Sequence, residues 1–155
     1  MIKNINIKKL LFYVGITLLI GSLPSFFIKI GETYKSFNKP PLSPPGFLFP
    51  IVWTILFILM GISIYRVMMT NSNKKSEARL IYFIQLILNA LWTPIFFGLK
   101  QYFLAFLWVL MLIVLVITMI LIFFKIDKIS AYLNIPYLVW LFFASYLSFG
   151  VFILN

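Results

Sequence analysis

The longest uncharged stretches of this sequence constrain its fold more than any other feature. From residue 47 to residue 65 no side chain carries a charge, and at about 1.5 Å per residue a helix of that length crosses a hydrocarbon core of about 30 Å. Similar runs recur along the chain, and 63% of its residues are apolar while only 10% are charged. A water-soluble domain of 155 residues has too small an interior to bury that much apolar surface. The sequence therefore predicts a protein that crosses the membrane several times.

Five apolar segments, separated by polar or basic connections, predict an all-α membrane protein with a bundle of five transmembrane helices. We expect one transmembrane domain over residues 1–155, with helices at about residues 10–28, 47–69, 78–99, 102–124 and 130–154. The first segment begins like a signal peptide, but it lacks a clean cleavage site and its apolar run continues, so we expect it to be retained. Pro24 should bend the end of helix 1, Pro94 should kink helix 3 or begin its last turn, and Pro136 falls inside helix 5.

The basic residues predict an orientation. Most lysines and arginines lie in the N-terminal tail and in the second and fourth loops. By the positive-inside rule, this places the N-terminus in the cytoplasm and the loop between helices 1 and 2 outside. Anchoring and orientation thus explain the net charge of +10, which gives almost no support to nucleic-acid binding.

The loop between helices 1 and 2, at residues 29–46, is unusually rich in proline. Each of its prolines fixes its own φ and disfavours a helical conformation in the preceding residue: Pro40, Pro41, Pro44 and Pro45. We therefore expect a stiff, polyproline-like lid at residues 39–46, after which Gly46 releases the chain into helix 2. A long loop in a compact membrane protein is either disordered or functional, and the prolines argue against disorder.

The ionisable residues argue against several kinds of site. The chain has no cysteine and no histidine, which argues against a metal site. Its acids, Glu32, Glu77 and Asp127, fall in predicted loops, and no lysine or arginine lies in the middle of a span. Proton pumps and ion-coupled transporters mark their pathways with intramembrane charges, and hydrolytic mechanisms need paired carboxylates or a nucleophile with its base. What remains are aromatic and neutral polar side chains, which suit a flat, largely apolar ligand.

Three of the predicted helices place aromatic and neutral polar residues on one face. A pocket between these faces would have indole walls and amide hydrogen-bond partners, with Gly61 and Ala144 giving room for a planar ring system. The residues are Trp53, Phe57, Met60 and Gly61 on helix 2, Gln85, Asn89, Trp92 and Thr93 on helix 3, and Tyr137, Trp140, Ala144 and Ser148 on helix 5.

Each of these residues also has a purely structural interpretation. Trp92 and Trp108 fit helix packing or an interfacial aromatic belt better than ligand contact. Gln85 and Asn89 would cross-link helices as readily as bind a ligand, so both roles stay open. The small residues of helix 5 also suit close helix contact or dimerisation.

An ordered set of residues runs through the lid and helix 2: Lys39-Pro40, Pro44-Pro45-Gly46, Phe49, Val52-Trp53, Leu56-Phe57 and Met60-Gly61. Further sets follow on helices 3 and 5: Gln85, Leu88, Asn89, Trp92 and Phe96-Phe97-Gly98, then Ala131, Leu133, Pro136-Tyr137, Trp140, Phe143-Ala144, Leu147 and Asn155. Together they resemble the TspO family, also called the tryptophan-rich sensory protein or translocator protein family. The resemblance covers nearly the whole chain.

The resemblance implies a five-helix membrane fold, usually a homodimer, and we expect this member to lie in a bacterial inner membrane. It also implies binding of porphyrins and other tetrapyrroles and, in some members, of cholesterol and of isoquinoline or benzodiazepine-type drugs. Bacterial relatives promote light- and oxygen-dependent breakdown of protoporphyrin IX. We therefore expect a tetrapyrrole-binding protein that promotes photo-oxidative degradation of protoporphyrin IX and requires no cofactor. The alternative is a sensor or transporter of porphyrin or another small hydrophobe without catalysis.

Trp53 and Trp140 match the family's tryptophans and are the candidate catalytic residues. We expect the ligand to lie between them, beneath the lid. The predicted ligand-binding set contains no metal ligand and consists of Tyr34, Pro44, Pro45, Trp53, Phe57, Gln85, Asn89, Trp92, Tyr137, Trp140, Ala144 and Ser148.

The sequence departs from the family pattern at three places. Thr33-Tyr34 stands where the family usually has Trp-Tyr, so the lid has one indole fewer. Ser148 stands where many members have Asn. The Tyr and Arg cholesterol motif of animal members would lie beyond Asn155, so we do not expect cholesterol recognition.

Overall fold

The computed structural model describes residues 4–155 and confirms the all-α bundle, with five helical segments long and apolar enough to cross a membrane. Its helices are Ile7–Ser22 (α1), Ile30–Ser36 (α2), Leu48–Met69 (α3), Lys75–Thr93 (α4), Tyr102–Ile126 (α5), Lys128–Tyr132 (α6) and Ile135–Leu154 (α7). The spans are α1, α3, α4, α5 and the pair α6–α7. They close into a ring in the order α1, α3, α6–α7, α5, α4.

Prolines determine where several of these helices end or begin. Pro24 lies in a 3-10 turn, Leu23–Phe26, that closes the first span, and Pro94 begins a π-helical turn, Pro94–Gly98, after α4. Both predicted disruptions are therefore confirmed. The last span differs from the prediction of one continuous helix, because the chain makes the short helix α6 and restarts as α7. Pro136 then falls in the first turn of α7, where its missing N–H removes no helical hydrogen bond.

The loop before α3 contains a helix that the proline-rich pattern does not predict. Residues Ile30–Ser36 form α2, with Glu32 in the first turn and Lys35 in the last. An acid near the start and a base near the end both complement the helix dipole. This helix presents Tyr34 and Phe37 toward the bundle, and both side chains are buried.

The proline-rich lid, residues 39–46, is a turn rather than a continuous polyproline segment. The chain reverses at Pro41 and Leu42, and Leu42 has a φ of 68°, in the left-handed region. The hydroxyl of Ser43 donates to the carbonyl of Pro40 at 2.7 Å across this turn. The expectation of a uniformly extended lid is therefore wrong, because a left-handed residue turns the chain back on itself.

Glycines allow α1 and α3 to approach each other closely. A Cβ atom at Gly61 would lie 2.6 Å from the Cα atom of Val14, and one at Gly21 would collide with the ring of Phe57. Gly61 therefore makes room for the backbone of α1. The expectation that Gly61 makes room for a ligand is wrong, because helical spacing does not say which neighbour a face meets.

Replacing Gly61 with alanine should destabilise the bundle, because the new methyl group collides with backbone that cannot move alone. Overpacking of this kind costs about 1–3 kcal/mol. Gly15 provides the matched control, since a Cβ there meets nothing within 4 Å and Gly15→Ala should stabilise α1 by roughly 0.5–1 kcal/mol. Thermal unfolding of both variants in detergent measures the difference. Equal melting temperatures would contradict this account of the α1–α3 contact.

An ion pair joins two helical segments at the end of the bundle opposite the lid. Arg66 donates to the carboxylate of Asp127 from Nε at 2.7 Å and from Nη2 at 3.1 Å. The backbone N–H and the hydroxyl of Ser130 donate to the same carboxylate at 3.1 and 2.6 Å. Partial burial raises the pKa of Asp127, but these hydrogen bonds and the Arg66 charge outweigh it and hold the pKa below its ordinary value. The pair ties α3 to the junction of α5 and α6.

Replacing Asp127 with asparagine should lower the melting temperature at neutral pH. Because the pKa of Asp127 is lowered in the folded state, its contribution is fully present above the ordinary carboxyl pKa and is lost as the pH falls through the lowered value. The melting temperatures of Asp127→Asn and of the unmodified chain should therefore converge in acid, as the pH falls below the ordinary carboxyl pKa and through the lowered one. A gap that stays constant over this range would rule out the ion pair as the source.

Candidate ligand-binding site

A cavity of about 460 Å³ lies at the lid end of the bundle. Its walls come from α1, α2, the lid, α3, α4 and α7. The volume is within the range of about 300–1,000 Å³ that is typical of sites for cofactors and drug-sized molecules. Toward the other end the bundle is solid, and Met60, Tyr82 and Phe123 are fully buried there. The interior of the bundle is therefore open beneath the lid and closely packed around these three residues.

A continuous series of aromatic side chains borders this cavity. Trp53 and Trp140 meet edge to face, with ring centroids 6.4 Å apart and an angle of 85° between the rings. From Trp140 the series continues, with neighbouring centroids 4.8–5.9 Å apart, through Phe49, Tyr34, Phe37, Phe96 and Trp92. Stacked and edge-to-face contacts at such distances are favourable, so the rings hold one another in place. The result is a set of flat apolar walls contributed by the elements around the cavity other than α1 and the lid.

The structure brings many of the predicted site residues together at this cavity. Those that line it are Tyr34, Trp53, Phe57, Asn89, Trp92, Trp140 and Ala144. Trp53 also stacks on Phe57, with centroids 5.3 Å apart. Both Trp53 and Trp140 are only partly buried, so ring surface remains accessible from the cavity. Their contact with a ligand stays a prediction.

The other predicted site residues do not line the cavity: Pro44, Pro45, Gln85, Tyr137 and Ser148. Gln85 and Tyr137 are fully buried behind its wall, where the Tyr137 hydroxyl donates to Gln85 Oε1 at 2.9 Å and joins α7 to α4. Ser148 donates to the carbonyl of Ala144 within α7 at 2.8 Å. Gln85, Tyr137 and Ser148 thus have hydrogen-bond partners inside the bundle, and the ligand contact of all five residues stays a prediction.

Several lining residues are absent from the predicted set. Lys39 and Phe49 belong to the lid and helix 2 pattern, so that pattern could have identified them. Phe96 belongs to the helix 3 set, which could likewise have identified it, whereas Phe37 carries no such signal. Phe37 reaches the cavity because it directly follows the last residue of α2, where the chain becomes extended, and this short helix is not apparent in the sequence.

Unpartnered hydrogen-bond donors lie beside the cavity. Asn89 Nδ2 and Trp92 Nε1 are buried and have no partner among the described residues. A buried donor without a partner costs about 1–3 kcal/mol, so a carbonyl or carboxylate of a ligand would be bound favourably here. The two amide residues, for which both roles stayed open in the sequence, therefore differ in the structure. Gln85 cross-links helices, and Asn89 lines the cavity. Trp108, by contrast, donates to the carbonyl of Leu88 at 2.7 Å, so its predicted packing role is confirmed.

The inner side of the lid is joined to α2. Lys39 Nζ donates to the carbonyls of Tyr34 and Phe37 at 2.8 and 3.2 Å and lies 4.8 Å from the centre of the Tyr34 ring. The Tyr34 hydroxyl donates to the carbonyl of Pro44 at 2.5 Å. Burial raises the pKa of Tyr34 above its ordinary value, so this donor stays protonated at neutral pH.

The outer side of the lid is joined to the end of α7. The Tyr146 hydroxyl donates to the carbonyl of Pro41 at 2.6 Å. Asn155 accepts from the N–H of Asn38 at 3.1 Å and donates to its carbonyl at 2.8 Å. The lid is thus held at both sides of the cavity mouth.

Replacing Tyr146 with phenylalanine should speed the release of any ligand held beneath the lid. The change removes one hydrogen bond to the lid, worth about 1 kcal/mol, so we expect a dissociation rate roughly fivefold higher. The matched control is Tyr132→Phe, at an exposed tyrosine near the opposite end of the bundle. Stopped-flow dissociation of a fluorescent ligand measures both rates. An unchanged rate in Tyr146→Phe would show that the lid does not control release.

Comparison with known proteins identifies relatives of this sequence. The sequence model of the TspO/MBR family matches residues 13–154. The tryptophan-rich protein TspO of Chlorobaculum tepidum is 35% identical over 98% of this chain and 99% of its own length. The tryptophan-rich sensory protein of Cereibacter sphaeroides is 36% identical over 83% of this chain and 80% of its own. The translocator protein of Ovis aries is 32% identical, over 75% and 70%.

Proposed function

This chain belongs to the TspO/MBR family, and from that premise we propose that it is a membrane tetrapyrrole-binding protein that promotes photo-oxidative degradation of protoporphyrin IX. Its five apolar segments make it a multi-pass membrane protein. The proposed location is a bacterial inner membrane, with the N-terminus in the cytoplasm and a homodimer as the assembly.

The observation that carries this proposal is the aromatic cavity, with the indoles of Trp53 and Trp140 6.4 Å apart. A porphyrin is flat and apolar on both faces, so its ring can lie against indole surface. Its carboxylates are acceptors that suit the unpartnered donors of Asn89 and Trp92. Isoquinoline and benzodiazepine-type molecules combine flat rings with a carbonyl and are proposed as further ligands on the same grounds.

The proposed reaction needs no bound metal or cofactor, because the ring itself absorbs light. An indole in contact with the excited ring donates one electron to it, and the ring radical anion combines with dioxygen. The adduct returns the electron to the indole radical cation, so the indole is regenerated and both oxygen atoms stay on the ring. Trp53 and Trp140 are the proposed catalytic residues. The protein supplies position and exclusion of water, while the ring supplies the difficult chemistry.

Illumination of the purified protein with protoporphyrin IX tests this function. We expect the visible spectrum of the bound ring to decay faster than that of the free ring in the same detergent, and only when dioxygen is present. A decay rate that does not depend on the protein would overturn the proposed reaction.

The alternative is a sensor or transporter of porphyrin or a small hydrophobe, without catalysis. The same cavity would serve it, and the relative from Cereibacter sphaeroides is named a sensory protein. Saturable binding in the dark with no new product in the light would favour a sensor. Uptake of the ligand into vesicles would favour a transporter.

A further inference from the structure

A second concave surface lies at the end of the bundle opposite the lid. It is a groove of about 610 Å³ between the start of α1, the end of α3 and the start of α4. Lys9, Lys75 and Arg79 border it. Its remaining surface is largely apolar and includes Phe12, Tyr13 and Met68. This combination of clustered cations and apolar floor has no part in the ligand cavity.

The cations of this groove form no ion pair within residues 4–155. Neither ion pair among the described residues, Lys29–Glu32 or Arg66–Asp127, involves them. Glu77 lies two residues from both Lys75 and Arg79 along α4, and side chains at that spacing do not face each other. Lys75 and Arg79, at i and i+4, do share a face, where like charges are unfavourable. An anion bound between Lys75, Arg79 and Lys9 would attract all three cations and so offset their mutual repulsion.

The start of α4 adds to the positive potential. Lys75 and Ser76 are its first residues, and the first backbone N–H groups of a helix have no helical partner and carry the positive end of its dipole. Phosphate groups bind readily at such positions.

The apolar surface around the groove identifies the kind of anion. Phe12 is 59% exposed, and Leu19, seven residues further along α1 and therefore on the same face, is 60% exposed. A free phosphate ion would gain nothing from these surfaces. A phospholipid would place its phosphate among the cations and its acyl chains along the apolar helices.

We propose that this groove is a binding site for one anionic phospholipid, with Lys9, Lys75 and Arg79 holding the headgroup. The site holds the N-terminal end of α1 against α3 and α4 through a lipid. It is independent of the function proposed for the cavity.

Titration of the purified, delipidated chain with phosphatidylglycerol and with phosphatidylcholine of the same acyl chains tests this site, with bound lipid counted by native mass spectrometry. Each cation near an anionic headgroup is worth roughly a fivefold change in affinity. We therefore expect phosphatidylglycerol to bind at least about tenfold more tightly than phosphatidylcholine, and Lys9→Gln/Lys75→Gln/Arg79→Gln to abolish that preference. Equal affinity for the two lipids would overturn the proposal.

Two further variants separate a site from a diffuse charge effect. Lys8→Gln/Lys125→Gln/Lys128→Gln removes the same charge from the same end of the bundle but outside the groove, and it should keep the preference. Lys9→Arg/Lys75→Arg/Arg79→Lys keeps the groove's charge and should also keep it. An equal loss in both glutamine variants, or a loss in the charge-preserving variant, would contradict the site. Displacement of the lipid by millimolar inorganic phosphate would instead identify a free-anion site and overturn the lipid assignment.

Discussion

Replacing Ala144 with phenylalanine should abolish binding of protoporphyrin IX. Ala144 lines the cavity and is only 7% exposed, so a phenyl ring at this position occupies the space beside Trp140 that the ligand needs. We expect the dissociation constant to rise by at least about a hundredfold. Because the new ring enters open space, the cost to stability should stay below the roughly 1–3 kcal/mol of an overpacked core. A dark titration followed by visible absorbance measures the affinity.

The same substitution on the outer side of α7 provides the control. Val139 is 62% exposed, so Val139→Phe adds the same ring outside the cavity and should bind like the unmodified chain. If Ala144→Phe is folded and binds protoporphyrin IX with unchanged affinity, the ligand does not occupy this cavity.

Replacing either Trp53 or Trp140 with phenylalanine should slow the light-dependent loss of bound protoporphyrin IX to the rate of the free ring. Phenylalanine keeps an aromatic surface for stacking, so binding in the dark should weaken by no more than about tenfold. It cannot replace the indole as an electron donor, because a benzene ring is much harder to oxidise. The measurement is the decay of the visible spectrum under constant illumination at saturating protein.

Trp108→Phe is the matched control for this pair. Trp108 lies outside the cavity and donates to the carbonyl of Leu88, so the same exchange there should leave the light-dependent rate unchanged. A rate that is unaffected in the Trp53 and Trp140 variants would remove the indoles from the mechanism. Such a result would not bear on whether protoporphyrin IX binds in the cavity.

The five spans could be predicted because their signal is local. Uncharged runs of sufficient length mark each helix, and Pro24 and Pro94 act on their own segments through a missing N–H. The short helix α2 could not be predicted in the same way, because seven residues carry too little periodicity and the prolines that follow suggest an extended chain. The left-handed conformation of Leu42 could not be predicted either, because the turn depends on contacts that the lid makes with α2 and α7.

The candidate site could be predicted in part. Spacing of three or four residues places Trp53 and Phe57 on one face, and they do share the cavity wall. Spacing cannot say which neighbour a face meets, so Gly61 packs against α1 and Tyr137 is hidden behind the wall beside Gln85. Phe37 reaches the cavity through a tertiary contact with Phe96, which no local pattern reveals.

The central claim is that an indole-walled cavity beneath the lid holds a single flat ring. Its most direct test is a dark titration of Trp92→Phe/Trp108→Phe, whose remaining tryptophans are Trp53 and Trp140, with protoporphyrin IX. We predict strong quenching of tryptophan fluorescence that saturates at one ring per chain and disappears when Ala144→Phe is added. Quenching that rises without saturation, as for a porphyrin dissolved in detergent, and that persists with Ala144→Phe would contradict the account.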